Sequence, residues 1–277
     1  MKRFVLIGKS LRHSASPALF GRWFRHHNIE ADYQAMEIDE HEIGRALKDI
    51  ETGTLAGANV TFPYKESVFQ QLARLDDAAR AIGAVNALAR GNGGVRGLNT
   101  DAPALAESLR HLLGPGAEPL AAACVFGSGG AARAAIYALL RKGMGAIRLV
   151  SRNPAAAKKL RAMGHSIALF PWHQAAAAAK GAALLVNATP LGQIGFPPFP
   201  ALPLEQTGSG AAFDLVYNPP QTAFMKMAEG AGYKTANGFP MLVEQAALSF
   251  EAWFGFKPET AGLTFEALTH AGERKRA

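Results

Sequence analysis

The segment Gly127-Ser128-Gly129-Gly130-Ala131-Ala132 follows an apolar run at 121–126 and opens a helical run that reaches residue 142. A lone glycine triplet is weak evidence. One that leaves a strand and enters a helix gathers backbone amides and the positive end of a helix at one point, which suits a pyrophosphate. Gly127 permits the tight turn, Gly129 lets phosphates approach the backbone, and Ala132 keeps the helix near the strand, with Ser128, Gly130 and Ala131 completing the turn. Sites for NAD place an acid about 20 residues further on, to hold the ribose 2′-hydroxyl. Here that place carries Ser151-Arg152-Asn153, with no carboxylate. Arg152 is a planar cation suited to a 2′-phosphate, so the cofactor expected is NADP.

The elements around this turn alternate between short apolar runs and helical patterns, the signature of an α/β protein. Residues 4–7 read as a strand. Ser16-Pro17 opens a helix with bulky residues at Leu19, Phe20, Trp23 and Phe24. Residues 57–61 and 84–88 read as further strands. Leu105, Leu109, Leu112 and Leu113 mark a helix that stops at Gly114-Pro115-Gly116. Strands are then expected at 121–126, 146–150, 167–170, 183–186 and 212–216, the pattern of a doubly wound parallel sheet. The Ala-rich segment 174–180 is a helix by propensity. Past Gly238 the pattern is helical, with Leu242, Ala246, Ser249, Phe250 and Trp253 on one face.

Composition narrows the function classes. At 277 residues the chain is comfortable for two domains, and 49% hydrophobic with 18% charged residues suits a sizeable core. No apolar run approaches the roughly 20 residues of a membrane span. The opening Met1-Lys2-Arg3-Phe4-Val5-Leu6-Ile7-Gly8 reads as a buried strand rather than a signal peptide. Cys124 is the single cysteine, so it forms no intramolecular disulfide and anchors no metal cluster, and a reducing cytoplasmic location follows. The net charge of +7 is interspersed with acids, and its one cluster, Arg274-Lys275-Arg276, reads as a solvated end. Nucleic acid is therefore not the expected partner; an anionic cofactor and a carboxylate substrate fit the charge.

Several further blocks stand along the chain: His13-Ser14-Ala15-Ser16-Pro17, Asn59-Val60-Thr61-Phe62-Pro63-Tyr64-Lys65, Gly83-Ala84-Val85-Asn86 and Asn99-Thr100-Asp101. They continue in Asn187-Ala188-Thr189-Pro190-Leu191-Gly192, Asp214-Leu215-Val216-Tyr217-Asn218-Pro219 and Met241-Leu242-Val243-Glu244-Gln245-Ala246. With these blocks the chain resembles the NADP-dependent shikimate dehydrogenases across roughly residues 4 to 255. It departs from that pattern at Ser10 and Pro240, where Pro and Gly are usual, at Ala87, where Thr is common, and at Ser151 and Asn153 around Arg152.

The resemblance implies a two-domain α/β enzyme. Residues 1–101, completed by C-terminal helices at 238–277, would bind substrate, and 102–237 would form a Rossmann-like NADP-binding domain. The implied reaction is reversible, NADPH-dependent reduction of 3-dehydroshikimate to shikimate. Oxidising a secondary alcohol needs a hydride acceptor and a proton acceptor, and the resemblance gives the proton to Lys65 and Asp101. Burial lowers a lysine's pKa and a nearby carboxylate raises it, so the two are read as one coupled pair. Ser14 and Ser16 would hold the substrate carboxylate, with Ser16 also capping its helix. Asn59, Thr61 and Asn86 would fix the ring hydroxyls, and Tyr217 and Gln245 would complete the pocket. Leu215 and Gly238 would meet the nicotinamide end of the cofactor. No metal is expected, and monomer and homodimer are both left open. The alternatives are a quinate/shikimate dehydrogenase using NAD or both cofactors, and a non-catalytic NADP-binding sensor.

Overall fold

The computed structural model describes residues 1–114, 121–204 and 210–268. The chain forms two compact units, Met1–Thr100 with the segment from Leu242 onward, and Asp101–Met241. The expected helix stop at Gly114-Pro115-Gly116 reaches the described residues only at Gly114, and the basic tail at 274–276 lies outside them.

The first unit is a six-stranded mixed sheet. Its elements are β1 (Lys2–Gly8), α1 (Ser16–His26), β2 (Ala31–Glu37), α2 (Ile43–Thr52), β3 (Gly57–Val60), α3 (Lys65–Gln70), β4 (Arg74–Leu75), α4 (Asp77–Ile82), β5 (Ala87–Gly91) and β6 (Gly94–Leu98). The strand order is β2-β1-β3-β5-β6-β4. β1, β2 and β3 run parallel, whereas β5 is antiparallel to both β3 and β6. Alternation along the strands splits the core. Val5, Ile7, Ala58 and Val60 face one layer with Ile43, Ile50 and Val68. Phe4 faces an aromatic layer with Phe24 and Trp253 at ring-centroid distances of 5.8 and 4.5 Å. Phe20 stacks on Tyr33 at 4.2 Å in the same layer and touches Trp253. Each such ring removed from water is worth about 1.5–3 kcal/mol, so this layer holds the C-terminal helix onto the sheet.

The strand expected at 84–88 is displaced. α4 ends at Gly83 in the left-handed conformation, and 84–86 then form a buried link ahead of the ladder. The Val85 amide donates to the Lys65 carbonyl (2.9 Å) and the Asn86 amide to the Leu98 carbonyl (3.0 Å). The ladder begins only at Ala87. Apolar composition marked burial correctly there, but burial alone does not distinguish a strand from a link beneath a helix.

The second unit carries α5 (Asp101–Leu113), β7 (Ala122–Phe126), α6 (Gly130–Arg141), β8 (Ala146–Ser151), α7 (Pro154–Arg161), β9 (Ile167–Pro171), α8 (Ala175–Ala179), β10 (Leu184–Asn187), β11 (Ala211–Asp214), α9 (Ala223–Gly230), β12 (Lys234–Ala236) and the start of α10 (Phe239–Phe254). Its sheet has the order β12-β11-β10-β7-β8-β9, with every paired neighbour parallel. Both faces are covered: Ala123 and Val125 of β7 join one core, and Cys124 and Phe126 the other. A continuous apolar run is what such a strand requires. The strand order reverses between β7 and β10, so the loops leaving those two strands flank the switch point where ligands of open α/β sheets bind.

Candidate functional site

The glycine-rich turn leaves β7 at this switch point. Gly127 has φ +121°, and a Cβ there would lie 2.7 Å from the Ala188 carbonyl oxygen, in the loop after β10. Any side chain would force the two loops apart. Gly129 is the N-cap of α6, no side chain caps that helix, and the space where a Cβ would stand is open. The first turn of α6 carries no acid. An uncapped helix start behind a glycine turn fits a pyrophosphate.

The end of β8 is tied to this turn. Ser151 is buried, and its Oγ donates to the Ser128 Oγ (2.8 Å) and accepts from the Asn153 amide (3.0 Å). Asn153 in turn caps α7, its side-chain oxygen accepting from the Ala156 amide at 3.1 Å. Arg152 stands between them, exposed. Ser151 and Asn153 therefore shape the loop that presents Arg152.

A second cluster of the same unit joins the ends of β10 and β11. Asp214 is fully buried and accepts from Asn187 Nδ2 (2.9 Å), the Val216 amide (3.0 Å) and the Thr222 hydroxyl (2.6 Å). Asn187 Oδ1 accepts from the Thr189 hydroxyl, and Thr222 caps α9. Burial pushes the Asp214 carboxyl up to about 6, against the opposing pull of these bonds. The turn fixed in this way carries Leu215 and Tyr217. The Leu215 carbonyl lies so close to Gly238 that a Cβ on Gly238 would overlap it. Tyr217 sits 6.5 Å from the Phe239 ring, centroid to centroid. Pro240 falls in the first turn of α10, where a backbone amide would have no helical partner in any case.

In the first unit the expected residues fall in three places. Ser14 and Ser16 enter α1, and the Ser14 Oγ accepts from the Ser16 amide (3.3 Å). The expected cap is corrected: the N-cap position is Ala15, α1 begins on Ser16, and no side chain caps it. The loop before it is held by the Leu11 amide donating to Glu37 Oε1 (2.8 Å). Thr61 and Lys65 bracket a turn after β3. The Thr61 amide donates to the Ile7 carbonyl (2.8 Å) and the Thr61 carbonyl accepts from the Tyr64 amide (3.0 Å). Lys65, half-buried, is the first residue of α3.

Asn59, Asn86 and Gln245 belong to one buried network. Asn86 and Thr100 pair reciprocally, Asn86 Nδ2 donating to Thr100 Oγ1 (2.8 Å) and the Thr100 amide to Asn86 Oδ1 (2.7 Å). Asn86 Nδ2 also reaches Gln245 Oε1 at 3.4 Å. Asn59 Nδ2 donates to the Asn86 carbonyl (3.1 Å) and Ser249 Oγ (2.8 Å), and Asn59 Oδ1 accepts from the Tyr33 hydroxyl (2.9 Å). Asp76 steadies the next segment by accepting from the Asn99 amide (3.2 Å) while it caps α4. Asp101 is buried and opens α5 in the second unit. Tyr33, Thr100 and Ser249 were not among the expected site residues. A serine on the otherwise apolar face of a helix is the one sequence signal that marks this network. Among the described residues no group of three or more His, Cys, Asp or Glu is placed to hold a metal ion. Among them, too, no helix is long and apolar enough to cross a membrane.

Comparison with known proteins sets this geometry in a family. The shikimate dehydrogenase substrate binding domain profile matches residues 6–88, and the shikimate 5′-dehydrogenase C-terminal domain profile matches 238–262. The chain is 39% identical over 262 residues to an NADP(+) shikimate dehydrogenase of Brucella ovis, covering 93% of this chain and 90% of that one. It is 40% identical over 258 residues to the same enzyme of Cereibacter sphaeroides, covering 92% of each. The crystal structure of shikimate 5-dehydrogenase from Thermus thermophilus, in complex with NADP(H) and shikimate, superposes with a TM-score of 0.79 at 34% identity over 99% of both chains. The chain belongs to the shikimate dehydrogenase family.

Proposed function

We propose that this protein is an NADP-dependent shikimate dehydrogenase, catalysing the reversible reduction of 3-dehydroshikimate to shikimate in aromatic amino-acid biosynthesis. The observation that carries the reading is identity of 39–40% with NADP(+) shikimate dehydrogenases over more than nine-tenths of the chain. NADPH, when bound, supplies the hydride. The chain's own residues hold the two molecules and manage the proton.

In the reducing direction the carbonyl carbon gains a hydride, the C=O π bond opens onto oxygen, and that oxygen takes a proton from the coupled pair Lys65 and Asp101. In oxidation the same pair receives the proton. Ser14 and Ser16 bind the substrate carboxylate. Thr61, Asn86, Tyr217 and Gln245 orient the ring, as does Asn59 in the direct reading of the family pattern. Gly127, Ser128, Gly129, Gly130 and Ala131 hold the pyrophosphate, and Arg152, between Ser151 and Asn153, takes the 2′-phosphate. Leu215 and Gly238 offer backbone to the nicotinamide end. In this reading residues 1–101 with 238–277 form the substrate domain and 102–237 the NADP domain. The cytoplasm is its compartment, in keeping with the single, buried Cys124. Initial rates with shikimate and quinate, each with NADP and NAD, test the function. Preference for shikimate with NADP supports it; equal use of quinate or NAD replaces it with a broader quinate/shikimate dehydrogenase.

A further inference from the structure

The Asn59 side chain is committed within the protein. It is 4% exposed, and its amide nitrogen has two hydrogens and two acceptors, the Asn86 carbonyl and Ser249 Oγ. The orientation follows from chemistry: a backbone carbonyl only accepts, so the atom facing it is the nitrogen. The oxygen is then the atom that takes the Tyr33 hydroxyl at 2.9 Å. Burial holds the Tyr33 phenol well above its ordinary pKa, so it remains a donor.

The far ends of these bonds matter more than the near ones. Ser249 lies one turn beyond Gln245 on α10, and its hydroxyl also bonds the Gln245 carbonyl at 2.9 Å. Asn86 is held at its main chain by Asn59 and at its side chain by Thr100, and it reaches Gln245 Oε1. The Gln245 amide nitrogen donates to the Leu242 carbonyl at 2.9 Å. Strand β2, strand β3, the 84–86 link and α10 thus meet at a single side chain.

We infer that Tyr33, Asn59 and Ser249 form a buried hydrogen-bonded brace that positions Gln245 and Asn86 for shikimate, and that Asn59 is a positioning residue rather than a ligand of the ring hydroxyls. The inference rests on the shikimate-binding reading of Gln245 and Asn86. Tyr33 and Ser249 are additions to the residues that determine substrate affinity. They act at a distance, because a hydroxyl lost inside a closed network leaves a buried partner unsatisfied and lets the group it aligned rotate.

The test is steady-state kinetics on the full-length enzyme with Ser249→Ala, Tyr33→Phe, Gln245→Ala and the Ser249→Ala/Gln245→Ala double variant, each with a thermal melt. The two brace variants are expected to raise the KM for shikimate about threefold to tenfold, the scale of coupling between network neighbours, with the KM for NADP unmoved. In the Gln245→Ala background, Ser249→Ala is expected to have a clearly smaller effect than in the wild type, because only its arm to Asn86 through Asn59 still acts on the substrate site. Unchanged shikimate KM in both brace variants overturns the inference. So does a Ser249→Ala effect that persists in full without Gln245, or one that weakens both ligands equally, since either marks general loosening. Should Ser249→Ala fail to fold, Tyr33→Phe carries the comparison, as it removes only a hydroxyl. If Gln245→Ala alone leaves the shikimate KM unchanged, the binding reading itself fails, a result distinct from failure of the brace.

Discussion

Asn187 Nδ2 donates to Asp214 Oδ1 across 2.9 Å, joining the C-terminal ends of two neighbouring parallel strands, β10 and β11. The bond sits beneath the turn that carries Leu215 and Tyr217, and it holds a carboxylate where desolvation disfavours charge.

That arrangement has a pH signature. The Asp214 carboxyl rises from 3.8 to about 6 on folding. Between those values the folded state holds a proton that the unfolded chain releases, so stability falls as pH rises through this window and stays lower above it. That change in proton affinity corresponds to roughly 3 kcal/mol. Asp214→Asn keeps acceptors for Asn187 and Val216 but cannot ionise. Relative to wild type, its stability is expected to improve by about 1–3 kcal/mol between pH 4 and pH 7.5. Urea unfolding at the two pH values measures this, and an unchanged difference would refute an ionising Asp214.

Lys65 opens α3 directly after the turn that follows β3. Lys65→Ala is expected to fold and to lose about 10²–10⁴ in kcat, with a smaller change in the KM for shikimate. Single-turnover rates near those of wild type would remove Lys65 from the proton step.

Arg152 projects from a loop pinned by Ser151 to Ser128 and by Asn153 to α7. Its loss should therefore leave the loop intact. Arg152→Ala is expected to weaken NADP by roughly 1.5–3 kcal/mol, the worth of a hydrogen bond to a charged group, with little effect on NAD. Titration with both cofactors decides the point; equal losses would mean that the residue does not read the 2′-phosphate.

Ser14 and Ser16 differ in their local bonds. Since α1 is not capped by Ser16, Ser16→Ala is expected to cost little stability, whereas Ser14→Ala removes the acceptor of the Ser16 amide. Both changes together should raise the KM for shikimate at least tenfold, with about 1 kcal/mol or less of destabilisation, the lower range for a lost cap. A double variant that melts early and yet keeps its substrate affinity would make the pair structural only.

Much of this molecule was legible along the chain because its determinants are local. A strand buried on both faces reads as an unbroken apolar run, as at β7, and a turn that a Cβ would obstruct reads as Gly127. The motif blocks singled out Lys65, Asp101 and the paired serines through the family resemblance they carry. The helix at Ser16, the Ala-rich helix and the alternation of the second unit lay equally open to inspection. β2, short α3 and short α4 did not, since each takes its conformation from neighbours in space rather than from its own periodicity.

Tertiary structure decided which polar side chains face one another. Tyr33, Asn59 and Ser249 are ordinary residues of strand and helix until folding brings positions 59 and 249, which stand 190 residues apart, within 2.8 Å. Asp214 is one carboxylate of an expected strand in the sequence and becomes a buried acceptor of three hydrogen bonds in the fold. Burial, the partner set and the resulting proton affinity are properties of packing. Spacing along a chain records which conformations the backbone favours, and it carries no information about which distant donor will meet a given acceptor once water has been excluded.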